Sequence, residues 1–195
     1  DSGRLGQLVA AHVMALFFKP EPYFDVAWRR QKGGGPILIN LIHEVHNLRM
    51  LCGEIVAVQA FGSNAIRGFA VEDTVAINLR FANGALGSFM LSDTAACPRS
   101  WEQTSQENPA YTHCDDEDCY VLAGTNGSLS VPTMRLKTYP RDEDRSWWKS
   151  FEVGTVGLVR DDPLKHQIEH FGAVVRGEAS PLVTARDGLQ NLRVT

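Results

Sequence analysis

The stretch GGGPILINLIHEVHNLRMLCG at positions 33–53 constrains the fold of this chain more than any other. Its leading glycines free the backbone for a sharp turn, and Pro36 supplies the pre-set φ that suits the first position of a helix. From there Leu38, Leu41, Ile42, Val45, Leu48 and Cys52 recur at helical spacing, while Asn40, His43, Glu44 and Asn47 fall along another face. The spacing predicts an amphipathic helix with an imidazole on its polar side, stopped at Gly53.

Around that helix the pattern turns to strands. Val75, Ile77, Leu79 and Phe81 alternate with Thr74, Ala76, Asn78 and Arg80, and Asn83-Gly84 supplies a hairpin turn into a return strand over 85–91. Further strands are expected at 55–61, 119–123, 128–131, 135–139 and 148–153, with Asn126-Gly127 as another turn. The apolar run 8–18 reads as a buried strand, although its Ala and Leu content also suits a helix, and Lys19-Pro20-Glu21-Pro22 ends it. Residues 23–32 form an irregular stretch that delivers Tyr23, Trp28 and Arg29 close to the helix N-terminus, and 92–111 is a long polar loop holding Trp101 and Tyr111. A second helix over 164–175 carries the stripe Leu164, Ile168, Phe171 and Val175, expected to pack on the core. A third begins at Thr184 and is still in progress at Thr195, so the chain is expected to be a piece of a longer protein.

Composition narrows the function classes. With 44% hydrophobic and 22% charged residues in 195 positions, the chain is long enough for one sizeable core, and a single domain over residues 1–195 is expected. The net charge of −4 and the absence of a basic run argue against nucleic acid as a partner. No apolar run reaches the ~18 residues that span a bilayer, and the opening Asp-Ser-Gly-Arg is not a signal peptide, so a soluble, cytoplasmic protein without a membrane partner is expected. Cys52, Cys97, Cys114 and Cys119 form no CxxC pair and read as free thiols.

Most chemistry-bearing patterns have plain structural readings. His166, Glu169 and His170 fit HxxEH, yet the Ile168 stripe already explains a helix with histidines on its flank, and no metal is expected. His113, Cys114 and Cys119 around an acidic run match no standard ligand set and read as a solvated turn before a strand. Lys19 reads as structural, since neither an acid nor a histidine is fixed beside it. There is no GxGxxG, GxxxxGK or GxSxG, so no nucleotide site is expected within the chain. The polar stripe Asn40, His43 and Asn47 is the remaining candidate; as a pattern it also fits a solvated helix face.

Residues 33–55 resemble the segment that opens the main helix of the C-terminal domain in the Gfo/Idh/MocA oxidoreductases, the glucose-fructose oxidoreductase and inositol dehydrogenase type. The similarity continues through Val71-Glu72-Asp73, the hairpin 81–85, residues 124–130 and Asp187-Gly188-Leu189. The resemblance implies an α+β fold, an open, mainly antiparallel mixed β-sheet with helices packed on one face, like the C-terminal domain of dihydrodipicolinate reductase. It also implies a homo-oligomer formed through the other sheet face. The implied parent binds NAD or NADP in a separate N-terminal Rossmann domain carrying a catalytic lysine, and oxidises a hydroxyl group of a sugar, cyclitol or similar polyol. Lys19 is not that lysine, because it follows the first strand of this domain, and the chain alone is expected to bind no cofactor and to be inactive.

Carried onto this sequence, the resemblance makes His43 the substrate-side histidine and expected catalytic group. Ile39 stands where the family has an Asp that orients the acid–base group. Asn40, Arg29 and Trp28 are then expected to position the substrate, with Trp101, Glu102 and Tyr111 contributing from the long loop. The isoleucine also leaves room for the alternative of a non-catalytic ligand-binding or oligomerisation module that has lost dehydrogenase activity.

Overall fold

The computed structural model describes residues 3–195; Asp1 and Ser2, at the head of the stretch read for a leader, lie outside the described residues. An eight-stranded sheet runs in the order β2-β3-β4-β1-β5-β6-β7-β8. Its strands are β1 (Leu8–Leu16), β2 (Ile55–Ser63), β3 (Thr74–Phe81), β4 (Leu86–Ser92), β5 (Tyr120–Gly124), β6 (Gly127–Val131), β7 (Arg135–Thr138) and β8 (Glu152–Thr155). The central β1 pairs parallel to β4 and antiparallel to β5, and every other pairing is antiparallel. The mixed, mainly antiparallel α+β sheet is therefore as expected, with the 8–18 run resolved as a strand.

Period-2 alternation decides which face is covered. Val75, Ile77, Leu79 and Phe81 of β3 are buried together with Ala11, Val13 and Ala15 of β1 and Phe89 and Leu91 of β4. Against them lies α1 (Ile42–Cys52), whose Val45, Leu48 and Cys52, preceded by Leu41, complete the main cluster. Burying each of the larger side chains, from Val to Phe, contributes about 1.5–3 kcal/mol. The opposite sheet face is open and exposes Phe61 of β2 and Leu86 of β4, which pair with the outward-facing Ala76 and Arg80 of β3.

The helix does not begin as the sequence predicts. Pro36 is helical, but Ile37–Leu41 form a π-helical turn before the regular α-helix starts at Ile42. The glycines ahead of it are required by close approach: a Cβ at Gly34 would strike the backbone carbonyl of Trp28, and one at Gly35 would strike Val71 and the Glu72 carboxylate. That carboxylate caps the turn by accepting from the Ile37 amide at 3.1 Å. Gly53, at φ 93°, ends α1 as predicted.

A short helix, α2 (Trp101–Thr104), interrupts the long loop. α3 (Pro163–Val175) forms where the spacing predicts it, but its stripe does not join the core: Leu164, Ile168, Phe171 and Val175 are each 67–72% exposed. An apolar stripe specifies that a face wants covering without specifying what covers it. The last helix, α4 (Ala185–Val194), is docked on α1 through Arg49. That guanidinium donates to the Asp187 carbonyl at 3.1 Å, to Asn191 Oδ1 at 2.7 Å and to the Asp187 carboxylate at 3.2 Å. Asp187 also closes a capping box with Thr184, and these hydrogen bonds hold its carboxyl down at about 2, below the ordinary aspartate value.

Candidate active site

The chain leaving β1 is pinned before it reaches the site. Phe17 donates its amide to the Ser92 carbonyl and Lys19 donates to the Asp93 carbonyl, while the Lys19 carbonyl accepts from Arg67 at 2.8 Å. Pro20 then forces the chain out into two 3₁₀ turns, Glu21–Asp25 and Ala27–Arg30. The ammonium of Lys19 consequently points to a fixed place, 2.8 Å from Asn40 Oδ1 and 4.8 Å from the centroid of the Tyr23 ring.

Asn40 is itself placed by the π turn. Such a turn changes the angular position of each side chain, and here Asn40, not Ile39, lines the cavity. This cavity, of about 390 Å³, lies between the end of β1, the π turn and the loop around α2, and its wall includes Lys19, Tyr23, Asn40, Glu102, Gln103 and Tyr111. Glu102 Oε2 and Gln103 Oε1 are buried without a hydrogen-bond partner among the described residues.

The electrostatics follow from desolvation. Burial lowers the Lys19 pKa from its ordinary value, opposed by the negative charges of Asp93 and Glu102. Behind the cavity, α1 buries Glu44, which is 5% exposed and has Oε2 unpartnered among the described residues. Burial, reinforced by the charge of Glu102, pushes the Glu44 carboxyl up to about 8, so it is mostly protonated at neutral pH.

Asn40, Glu102 and Tyr111, three of the residues singled out in the sequence, thus meet at one cavity. The others are placed differently. His43 follows Asn40 by one helical turn, on the solvent side of α1, and is exposed. Asn47, the last member of the polar stripe, is occupied in the fold, donating to the hydroxyl of buried Tyr120 at 3.3 Å. Arg29 stacks on the Tyr23 ring at 3.9 Å and donates to the Tyr23 carbonyl, so it reaches the cavity only through that tyrosine; Trp28 is 51% exposed beside it and does not line the cavity. Trp101 packs on the core, edge-on to Tyr120, and donates its indole N–H to Glu107, so its ring is not a wall of the cavity. Lys19 was not recognisable, because its partners are distant in sequence and the π turn that presents Asn40 leaves no residue-type signature.

The HxxEH histidines are separately engaged. His166 is 2.8 Å from Asp161, and His170 accepts from the Leu182 amide at 3.2 Å. Among the described residues, no three potential ligands gather to hold a metal ion, and no helix is long and apolar enough to cross a membrane.

An open mixed sheet covered on one face by a glycine-started helix, with a polar cavity at that helix's entry, defines an open-sheet α+β domain. More particularly, residues 1–130 match the GFO/IDH/MocA C-terminal domain, and the chain belongs to that family. Solved structures share the fold. The WlbA dehydrogenase of Bordetella pertussis, determined with NADH and UDP-GlcNAcA, superposes with a TM-score of 0.65 at 23% identity over 97% of this chain and 50% of its own. The aldose-aldose oxidoreductase of Caulobacter crescentus, complexed with glycerol, gives 0.67 at 21% identity over 98% and 52%. An oxidoreductase of Thermotoga maritima gives 0.69 at 19% identity over 98% and 51%. The chain therefore spans about half the length of these relatives. No curated protein matches it in sequence.

Proposed function

We propose that this chain is the substrate-binding domain of an NAD(P)-dependent oxidoreductase acting on a hydroxyl group of a sugar, cyclitol or similar polyol, and that it is inactive without the cofactor domain. The observation that carries the reading is the convergence of Asn40, Glu102 and Tyr111 on one cavity at the entry of the helix that bears His43. Hydroxyl groups need both donors and acceptors around them, and an aromatic wall suits the C–H face of a ring.

The cavity does not fit the cofactor itself. Its wall offers a single cation beside the Glu102 carboxylate, and the sequence has no GxGxxG loop to cradle a pyrophosphate. When bound by the separate domain, the nicotinamide supplies the hydride acceptor. Within this chain, Asn40, Glu102 and Tyr111 hold the substrate, and the His43 imidazole exchanges a proton with the reacting hydroxyl. Ile39 has no acid–base capacity; Asn40, presented by the π turn, supplies the hydrogen bonds from the neighbouring position. The domain is expected to self-associate through its open sheet face, whose apolar residues are exposed.

The test is the full-length protein assayed for nicotinamide reduction with a panel of aldoses and cyclitols. Turnover of any of them supports the reading. A full-length protein that binds NAD(P) and turns over none is instead the non-catalytic module that Ile39 would allow.

A further inference from the structure

The two cations near the end of β1 are not equivalent. Arg67 uses four of its five donors: it donates to the Asp93 carboxylate at 3.2 Å, to the Asp93 carbonyl at 2.7 Å, to the Lys19 carbonyl at 2.8 Å and to Glu21 at 3.1 Å, with its guanidinium 4.1 Å from the centre of the Phe24 ring. The charge of Asp93 is thereby answered. Lys19 stands 3.7 Å from Asp93, beyond hydrogen-bond length, and among the described residues its ammonium forms one hydrogen bond, to Asn40. An ammonium has three donors, so Lys19 is left with unused N–H groups in the wall of a cavity, although its side chain is only 11% exposed. Glu102 and Gln103 line the same cavity as acceptors, and each also keeps one buried oxygen, Oε2 and Oε1, without a hydrogen-bond partner among the described residues. Buried polar atoms without partners are costly, and a site that leaves both kinds in one cavity is complementary to a ligand that supplies both.

We propose that Lys19 is a substrate-binding residue, and that the cavity takes a neutral polyhydroxylated ring in preference to a carboxylated or phosphorylated sugar. The inference rests on the cavity being the substrate site. A hydroxyl both accepts, from Lys19, and donates, to Glu102 and Gln103. A carboxylate satisfies Lys19 alone and meets the like charge of Glu102; an ammonium group satisfies the acceptors and repels Lys19. Lys19 and Glu102 are the only formally charged residues among those that line the cavity, so its wall is neutral overall. Tyr23, covered by the Lys19 ammonium and the Arg29 guanidinium, holds Lys19 in place, and Tyr111 supplies an aromatic surface for a ring.

The experiment is calorimetric titration of the full-length protein with two matched pairs, glucose with glucuronate and galactose with galacturonate. At least one aldose is expected to bind about tenfold or more tightly than its uronate. Lys19→Met is expected to weaken that aldose by about tenfold or more, the loss typical of a hydrogen bond to a charged donor, and Lys19→Arg to restore part of it. Glu102→Gln is expected to narrow the aldose-to-uronate ratio, a readout that a merely structural role would leave alone. Should Lys19→Met fail to fold, the Lys19→Arg and Glu102→Gln ratios decide. Uronates bound as tightly as aldoses, an unchanged ratio in Glu102→Gln, aldose affinity within about twofold in a folded Lys19→Met, or no binding of either pair overturns the inference. Turnover without aldose preference refutes this inference alone, whereas aldose binding without nicotinamide reduction refutes the dehydrogenase reading alone.

Discussion

Glu44 offers the sharpest test of the packing behind the site. Its carboxyl is buried beneath α1, with one oxygen unpartnered among the described residues, and titrates at about 8 instead of the ordinary 4.5, first through desolvation and then through the charge of Glu102. The native state therefore holds a proton that the unfolded chain releases. For an acid with a raised folded pKa, the linked stability is fully present below about 4.5, is lost as pH rises, and is exhausted above about 8. At about 1.4 kcal/mol per pH unit, the interval sets a ceiling of roughly 5 kcal/mol, and water penetration and relaxation bring the expected figure to about 2–3 kcal/mol. Glu44→Gln keeps the shape and stays neutral at every pH. Thermal unfolding of native and variant protein, followed from about pH 5 to pH 9, should show similar midpoints at the acid end and a variant more stable by about 5–10 °C at the alkaline end. A difference between the two that does not change with pH would refute the reasoning.

Other perturbations probe the supports of the site. Arg67→Ala removes the partner of a carboxylate that is 4% exposed and should cost about 3 kcal/mol in denaturant unfolding, softened by Lys19 at 3.7 Å; a loss below about 1 kcal/mol would mean that Asp93 needs no such partner. Asp187→Ala removes both the capping box of α4 and its tie to Arg49, and should lower the unfolding midpoint at neutral pH. Because the Asp187 pKa is lowered, that contribution is present above the unfolded aspartate value of 3.8 and is lost as pH falls toward about 2, so native and variant stabilities should converge in acid.

What the sequence disclosed is what local periodicity encodes. The alternation of 73–81 gave the buried face of β3 residue by residue, and the helical spacing of 33–53 gave α1 and its apolar side, because both patterns reflect one element against one core. The strand expected at 148–153 forms instead at Glu152–Thr155, an edge position where Trp147 and Trp148 are exposed and no second face enforces the register. The α3 stripe was legible as amphipathic, but its exposure was not, since spacing carries no address. At the site, Asn40, Glu102 and Tyr111 were found from the helix and the loop. Lys19 was passed over because its meaning depends on contacts across 21 residues to Asn40 and on the pairing of Asp93 with Arg67, neither of which a linear reading contains. Trp101 shows the converse: an aromatic in a functional loop that serves the core.

The most direct measurement is kcat/KM of the full-length protein for its best aldose or cyclitol, compared with that of His43→Ala. His43 is exposed on α1 and forms no hydrogen bond among the described residues, so its removal should leave folding and sugar affinity intact while lowering kcat/KM by roughly 10²-fold or more, the usual contribution of a positioned acid–base group. An unchanged kcat/KM in a folded His43→Ala protein would contradict the placement of the reacting hydroxyl against this helix.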